Sequence, residues 1–228
     1  SSGCGAVNMW CDGANCAVSF DHDCNMMLQS RGHVLVGGPR ERHWDLFKGW
    51  AAAHEAQLMT LLGDQYVMYG EWMYAKHSLF YDMLPHYFLE FDIYDRIENA
   101  FLSTRKRREM LRGSPVVSVR VLREGQFSSL EQLKKLITMT SFKGGLWREN
   151  LIMQAIAAGV DEETAKRQTD MSDIMEGLYI KVEDTDRVTQ RLKFVRPGFK
   201  QAIVESGSHW LDRPIIQNML APGVDIFR

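Results

Sequence analysis

Two short apolar runs, Ala17 to Phe20 and Met26 to Ser30, flank the turn-forming Asp21-His22-Asp23, a spacing that predicts a β-hairpin. Gly37-Gly38-Pro39 interrupts that pattern. From about Glu41 to Leu62 the residues Trp44, Phe47, Trp50, His54 and Leu58 recur at steps of three and four, which predicts one continuous helix with a single buried face. Gln65 to Glu71 and Tyr87 to Tyr94 are β-rich, and the second is apolar enough to be a central strand. Ser103 suits the N-cap of a helix through Arg112, and Val116 to Leu122 alternates as a strand after Pro115.

Further along, Ser129-Leu130-Glu131-Gln132 opens a helix expected to reach about Thr140. Trp147 to Ala158 has helical apolar spacing with Gly159 as its stop, and Asp161 starts a polar helix through about Thr169. Gly177 to Val182 and Arg191 to Val195 predict two strands joined by the acidic turn Glu183 to Asp186. The tail after Pro197 lacks a period and is expected to be loop with short helix. Strands and helices alternate without βαβ regularity, so the fold class is α+β, with antiparallel sheets flanked by helices.

Composition narrows the picture more than it identifies anything. The 228 residues suit a single domain spanning 1–228, and no repeat, low-complexity stretch or linker divides it. A net charge of −2 gives no global signature of nucleic-acid binding, so any such contact must be local. All four cysteines, Cys4, Cys11, Cys16 and Cys24, lie in the first 24 residues without zinc-ligand spacing, and are expected to be reduced thiols of a cytoplasmic protein. No apolar run has the length of a membrane span. The opening residues Ser1 to Met9 do not resemble a strand, which suggests that an N-terminal strand is missing.

The chemistry lies in the order of six short stretches. They are Trp10-Cys11-Asp12-Gly13, Arg31-Gly32-His33, Gly70-Glu71, Phe88-Leu89-Glu90-Phe91-Asp92-Ile93, Met175-Glu176-Gly177-Leu178-Tyr179-Ile180-Lys181, and Arg191-Leu192-Lys193-Phe194-Val195-Arg196. Singly each is commonplace, since an Asp-Gly is usually a turn and an aromatic strand usually core. In this order they resemble the motifs of covalent nucleotidyltransferases. Their wording is similar to that of the ATP-dependent RNA ligases of the RNA-editing and phage T4 double-strand-repair type.

That resemblance implies an RNA ligase fold, an adenylylated enzyme intermediate, ATP and Mg2+ or Mn2+ as cofactors, and RNA with 5′-phosphate and 3′-hydroxyl ends as substrate. It also implies roles. Position 10 is the nucleophile slot, where the family has a lysine and this chain has Trp10. Arg31 matches the arginine near the ribose and nick, Glu71 the carboxylate on the ribose hydroxyl, and Glu176 the metal-binding carboxylate. Lys193 matches the lysine that offsets charge at the α-phosphate. Phe91 is the implied adenine platform, with Asp12, Gly13, Asn15, Asp92, Lys181 and Arg196 also on the nucleotide side. The family's second lysine, two residues after Lys193, is replaced by Val195.

For RNA, Arg105-Lys106-Arg107-Arg108 forms the densest basic run, with His209, Trp210 and Arg213 as a second possibility. DNA ligases and capping enzymes share the motifs but carry an OB domain, for which the 35 residues after Lys193 are too few. A tryptophan cannot form the phosphoramidate, so self-adenylation is the step in question. The alternative is a ligase-like binding module for nucleotides or RNA ends.

Overall fold

The computed structural model describes residues 4–199 and 214–228. Eleven strands form one long sheet: β1 (Cys4–Trp10), β2 (Ala14–Phe20), β3 (Met26–Ser30), β4 (His33–Val34), β5 (Tyr66–Trp72), β6 (Phe88–Asp95), β7 (Ala100–Leu102), β8 (Val117–Ser118), β9 (Val121–Gly125), β10 (Gly177–Glu183) and β11 (Arg187–Val195). Their order is β4-β3-β2-β5-β6-β7-β11-β10-β1-β9, with β8 attached to β6. Every pairing is antiparallel except that of β8 with β6.

The sheet therefore has two arms, and the chain crosses directly between them at Cys11-Asp12-Gly13. Trp10 ends β1 opposite Gly177, whereas Ala14 begins β2 opposite Trp72. This crossing makes the cleft.

The expectation that Ser1 to Met9 is unlike a strand is corrected, because Cys4–Trp10 is a strand paired on both sides. Ala6, Val7, Asn8 and Met9 are all buried, so both faces are covered and the period-two alternation that would have betrayed a strand is absent.

The single helix expected over Glu41 to Leu62 is three pieces: a 3-10 helix over Pro39–Trp44, α1 (Asp45–Ala53) and α2 (Glu55–Leu62). His54 breaks it with φ −110° and ψ 13°, and its imidazole Nδ1 lies 2.9 Å from the Trp50 carbonyl. The apolar face itself is as expected. Phe47, Trp50, Leu58 and Leu62 are buried, and Trp50 and Phe47 stack on Phe88 of β6 at 4.9 and 5.7 Å between centroids.

α3 (Thr104–Leu111) is capped by Ser103, whose hydroxyl accepts the Lys106 N–H. The Val116 to Leu122 strand is instead two, since β8 pairs with β6 and β9 crosses to β1. α4 (Leu130–Lys134) stops before the expected Thr140 because Thr138 to Thr140 is drawn into extended pairing with Asp173 to Met175. α5 (Trp147–Ala157) and α6 (Glu162–Arg167) form a small lobe around Phe80, Trp147, Leu151 and Ile216. In the tail, residues 197–199 are helical, in keeping with the expected short helix, and residues 214–228 are loop with bridges, Gln217 against Ala75 and Leu220 against Leu84.

Candidate active site

A cleft of about 320 Å3 opens between the two arms. Trp10, Asp12, Gly13, Asn15, Arg31, Glu71 and Lys193 line it, so residues from four of the six motif stretches meet there. Cys11, Ala14, Ser30, His33, Trp44 and His77 complete the wall, and none of these was expected to have a role.

Local geometry explains why the motifs carry glycine. A Cβ on Gly177 would lie 1.9 Å from the Phe194 carbonyl oxygen, so only glycine lets β10 close against β11 and bring Glu176 beside Lys193. A Cβ on Gly13 would meet Met73 Sδ at 2.7 Å and the Trp72 carbonyl at 3.0 Å, where the crossing loop presses on the end of β5.

Asp12 is held by its neighbours rather than left free for ligand. Its Oδ2 accepts the Ser78 N–H at 2.7 Å, and His77 Nδ1 stands 3.6 Å from Oδ1. Burial raises its pKa, but His77, the Ser78 N–H and Lys193 outweigh that and leave it below the usual carboxylate value.

Glu71 and Glu176 behave oppositely. Both are almost wholly buried, and each has one carboxylate oxygen, Oε2 in both cases, without a hydrogen-bond partner. Burial, reinforced by the negative charge of Asp12 and, for Glu71, of Glu176, pushes both up to about 8. Lys193 draws them down, standing 3.4 Å from Glu176 Oε1. Such a site is short of positive charge.

Trp10 lines the cleft with its ring among other aromatic side chains. Its ring lies 6.2 Å from Phe91 and 5.7 Å from Tyr179, centroid to centroid, and the Lys193 ammonium sits 3.8 Å over its face. Tyr179 closes an aromatic triad, packing edge-on to Phe91 at 5.7 Å. The sequence offered no signal for Tyr179 beyond its place in the Glu176 to Lys181 strand.

Other expected site residues lie elsewhere. Phe91 is buried behind Trp10 and is not part of the cleft wall. Asp92 and Lys181 are fully buried and paired with each other at 2.7 Å; Asp92 also accepts the Tyr179 hydroxyl, and Lys181 donates to the Phe91 carbonyl. Arg196 reaches away from the cleft to Asp170, Ser172 and the Met175 carbonyl.

The basic run needs correction as well. Arg107 is buried, and its guanidinium donates two 2.7 Å bonds to the buried Glu90. Consecutive helical positions point in different directions, so one of four cations falls on the core side. Arg105, Lys106 and Arg108 remain about half exposed but pair with Glu109, Asp186 and Glu124. His209, Trp210 and Arg213 fall outside the described residues. Among the described residues, no helix is long and apolar enough to cross a membrane, and no group of three or more His, Cys, Asp or Glu is arranged to hold a metal.

Two antiparallel arms joined at an Asp-Gly crossing, with acids and a lysine converging on one cleft, define a nucleotidyltransferase-type ligase fold. The RNA ligase family profile matches residues 11–195, and the chain belongs to that family. The match starts one residue after Trp10.

Among solved structures the chain is similar to RNA ligase from Naegleria gruberi. A lysine-to-alanine mutant with ATP and Mn shares 15% identity over 90% of this chain and 53% of that one, with TM-score 0.57. A lysine-to-methionine mutant with AMP and Mn shares 16% over 88% and 52%, with TM-score 0.57. The same ligase with PPi shares 14% over 88% and 52%, with TM-score 0.53. The present chain thus spans about half the length of those structures, and at such identity the likeness shows the fold. No curated protein sequence matches it.

Proposed function

We propose that this chain is the adenylate-handling domain of an ATP-dependent RNA ligase that joins RNA 5′-phosphate and 3′-hydroxyl ends, and that it cannot charge itself with AMP. The observation that carries this reading is Trp10, an indole in the cleft capped by the very lysine expected to meet the α-phosphate. Without an amine at that position, no phosphoramidate forms.

Nucleotide binding remains chemically reasonable. In the Naegleria ligase, ATP and Mn occupy a lysine-to-alanine mutant. The cleft is near the lower end of ligand-pocket volumes, as expected where a large ring takes up space. Arg31, His33 and Lys193 supply positive or polar groups suited to phosphate.

A divalent cation fits the site in a limited way. The unpartnered oxygens of Glu71 and Glu176 are hard donors, and no third protein ligand joins them among the described residues. This suits an ion held by one or two carboxylates, water and phosphate. When bound, such an ion neutralises phosphate charge.

The step left to this chain is sealing of an RNA end that already carries AMP. The 3′-hydroxyl oxygen bonds to the 5′-phosphorus, the bond to AMP breaks, AMP leaves with its electron pair, and the hydroxyl proton passes to water. Lys193 offsets the charge developing on the phosphate, and Arg31 at the mouth holds the end in place.

The test uses the purified chain with ATP and Mn2+, followed by intact mass, and separately with a pre-adenylated RNA and a 3′-hydroxyl acceptor. The expected results are no added AMP and a sealed product that Lys193→Ala abolishes. Covalent AMP on the protein would overturn the first half. Tight RNA or nucleotide binding without sealing would make the chain a binding module, the reading that the Trp10–Lys193 contact also favours.

A further inference from the structure

The side chain that ties the two halves of the cleft together is one that no ligand role explains. Arg196 follows β11 directly, three residues after Lys193. Its backbone N–H donates to the Glu176 carbonyl at 3.0 Å and its Nε to the Met175 carbonyl at 3.0 Å. Nη2 donates to Ser172 Oγ at 2.9 Å and pairs with the buried carboxylate of Asp170. One guanidinium thus gathers the whole segment that delivers Glu176.

Asp170 leads onward to the other arm. Its N–H donates to the Ser78 carbonyl at 2.8 Å, and the Ser78 N–H donates to Asp12 Oδ2 at 2.7 Å. A continuous path therefore runs from Lys193 along the chain to Arg196, across to Asp170, through Ser78, and into the crossing loop at Asp12.

We infer that Arg196, acting through Asp170, is a positioning residue that sets Glu176 against Lys193 and locks this pair to the Asp12 loop. This rests on the reading of the cleft as a nucleotide and metal site. It reassigns Arg196 from the nucleotide to the scaffold. The guanidinium fork suits the task because it serves three acceptors at once, the Met175 carbonyl, Ser172 Oγ and Asp170, from a rigid planar group that a lysine lacks. Residues that orient a ligand group typically change metal affinity by about 10–100-fold when lost.

The experiment has two arms. In the first, Mn2+–ATP affinity is measured by calorimetry for the wild-type chain, Arg196→Met, Arg196→Lys and Asp170→Asn, each also in a Glu176→Gln background. Arg196→Met and Asp170→Asn are expected to weaken binding by about tenfold or more, Arg196→Lys to recover part of it, and none to add a loss once Glu176 is Gln. Equal losses with and without Glu176 would overturn the inference, because a general structural role would be blind to that carboxylate.

The second arm needs no ligand. Hydrogen exchange of residues 170–177 is expected to accelerate in Arg196→Met and in Asp170→Asn, while β2 and β5 keep their protection. Unchanged exchange in that segment overturns the inference. If wild-type protein binds no Mn2+–ATP, the functional reading fails, and the exchange arm still decides the role of Arg196. Should Arg196→Met not fold, Arg196→Lys and Asp170→Asn carry both arms.

Discussion

At the scale of single residues, position 10 separates fold from chemistry. The backbone there belongs to β1 and pairs with Gly177, so the slot is built whatever side chain occupies it. Trp10→Lys would exchange an indole for an amine next to Lys193, which itself stands 3.4 Å from the buried Glu176. The expected outcome is a mass increase of one AMP with ATP and Mn2+, and a mass that stays unchanged would overturn the assignment of position 10 as the nucleophile slot. Gly177 makes the converse point. Gly177→Ala forces a methyl group onto the Phe194 carbonyl at 1.9 Å, where backbone must move. A loss of about 3 kcal/mol, roughly 10 °C in thermal midpoint, is expected, and a midpoint within a degree of wild type would contradict the close approach.

Elements show what was legible in the sequence and what was not. The hairpin of β2 and β3, the central strand β6, the caps at Ser103 and Asp161, and the β10–β11 pair all follow from local patterns, because alternation and capping are written within a few residues. β1 was hidden by burial on both faces. The helix break at His54 was hidden because the apolar spacing runs through it undisturbed. Residues 73–86 carried no readable signal at all, being irregular, yet His77 and Ser78 there hold Asp12. Irregular backbone is specified by distant partners, which a single sequence does not display.

The basic helix α3 failed as a charge patch for an equally physical reason: a run of four cations cannot keep all of them in water. Arg107 and Glu90 form a buried pair with Ser118 on the same carboxylate. Arg107→Met alone is expected to cost about 3–5 kcal/mol by stranding Glu90, and Arg107→Met with Glu90→Leu should recover most of it. Chemical denaturation of the two variants and the wild type measures this. A double variant as unstable as the single one would show that the pair does more than neutralise itself.

For the whole molecule, the charge-poor cleft makes stability depend on pH. Glu71 and Glu176 have pKa values raised from 4.5 to about 8, so the folded state holds protons that the unfolded state releases. Their stabilising contribution is complete below about 4.5 and is lost as pH rises through about 8. His43 and His86, with pKa values lowered by burial, act below 6.5, and Lys143, lowered to about 8, acts above it. Between pH 6.5 and 8 the thermal midpoint should therefore fall, and Glu71→Gln with Glu176→Gln should flatten that fall. A midpoint that rises over this window would reject the protonated carboxylates. Mn2+ should bind more tightly as pH rises through the same range, because each carboxylate must lose its proton to serve as a ligand.

The tail adds a consequence in time. Asn218 is fully buried, accepting the Tyr81 N–H and donating to the Met73 carbonyl, and the first of these bonds joins residues 137 positions apart in sequence. The segment that steadies Asp12 is thus completed by residues synthesised long after it. On the ribosome, β2, β3 and β5 are all made well before residue 218 leaves the exit tunnel, so the hairpin and central strands can form while the cleft is still unassembled. A nascent chain halted before that point would hold its motifs in order and yet lack the bonds from Asn218 to Tyr81 and Met73, which delays completion of the segment that steadies Asp12 until residue 218 has been made.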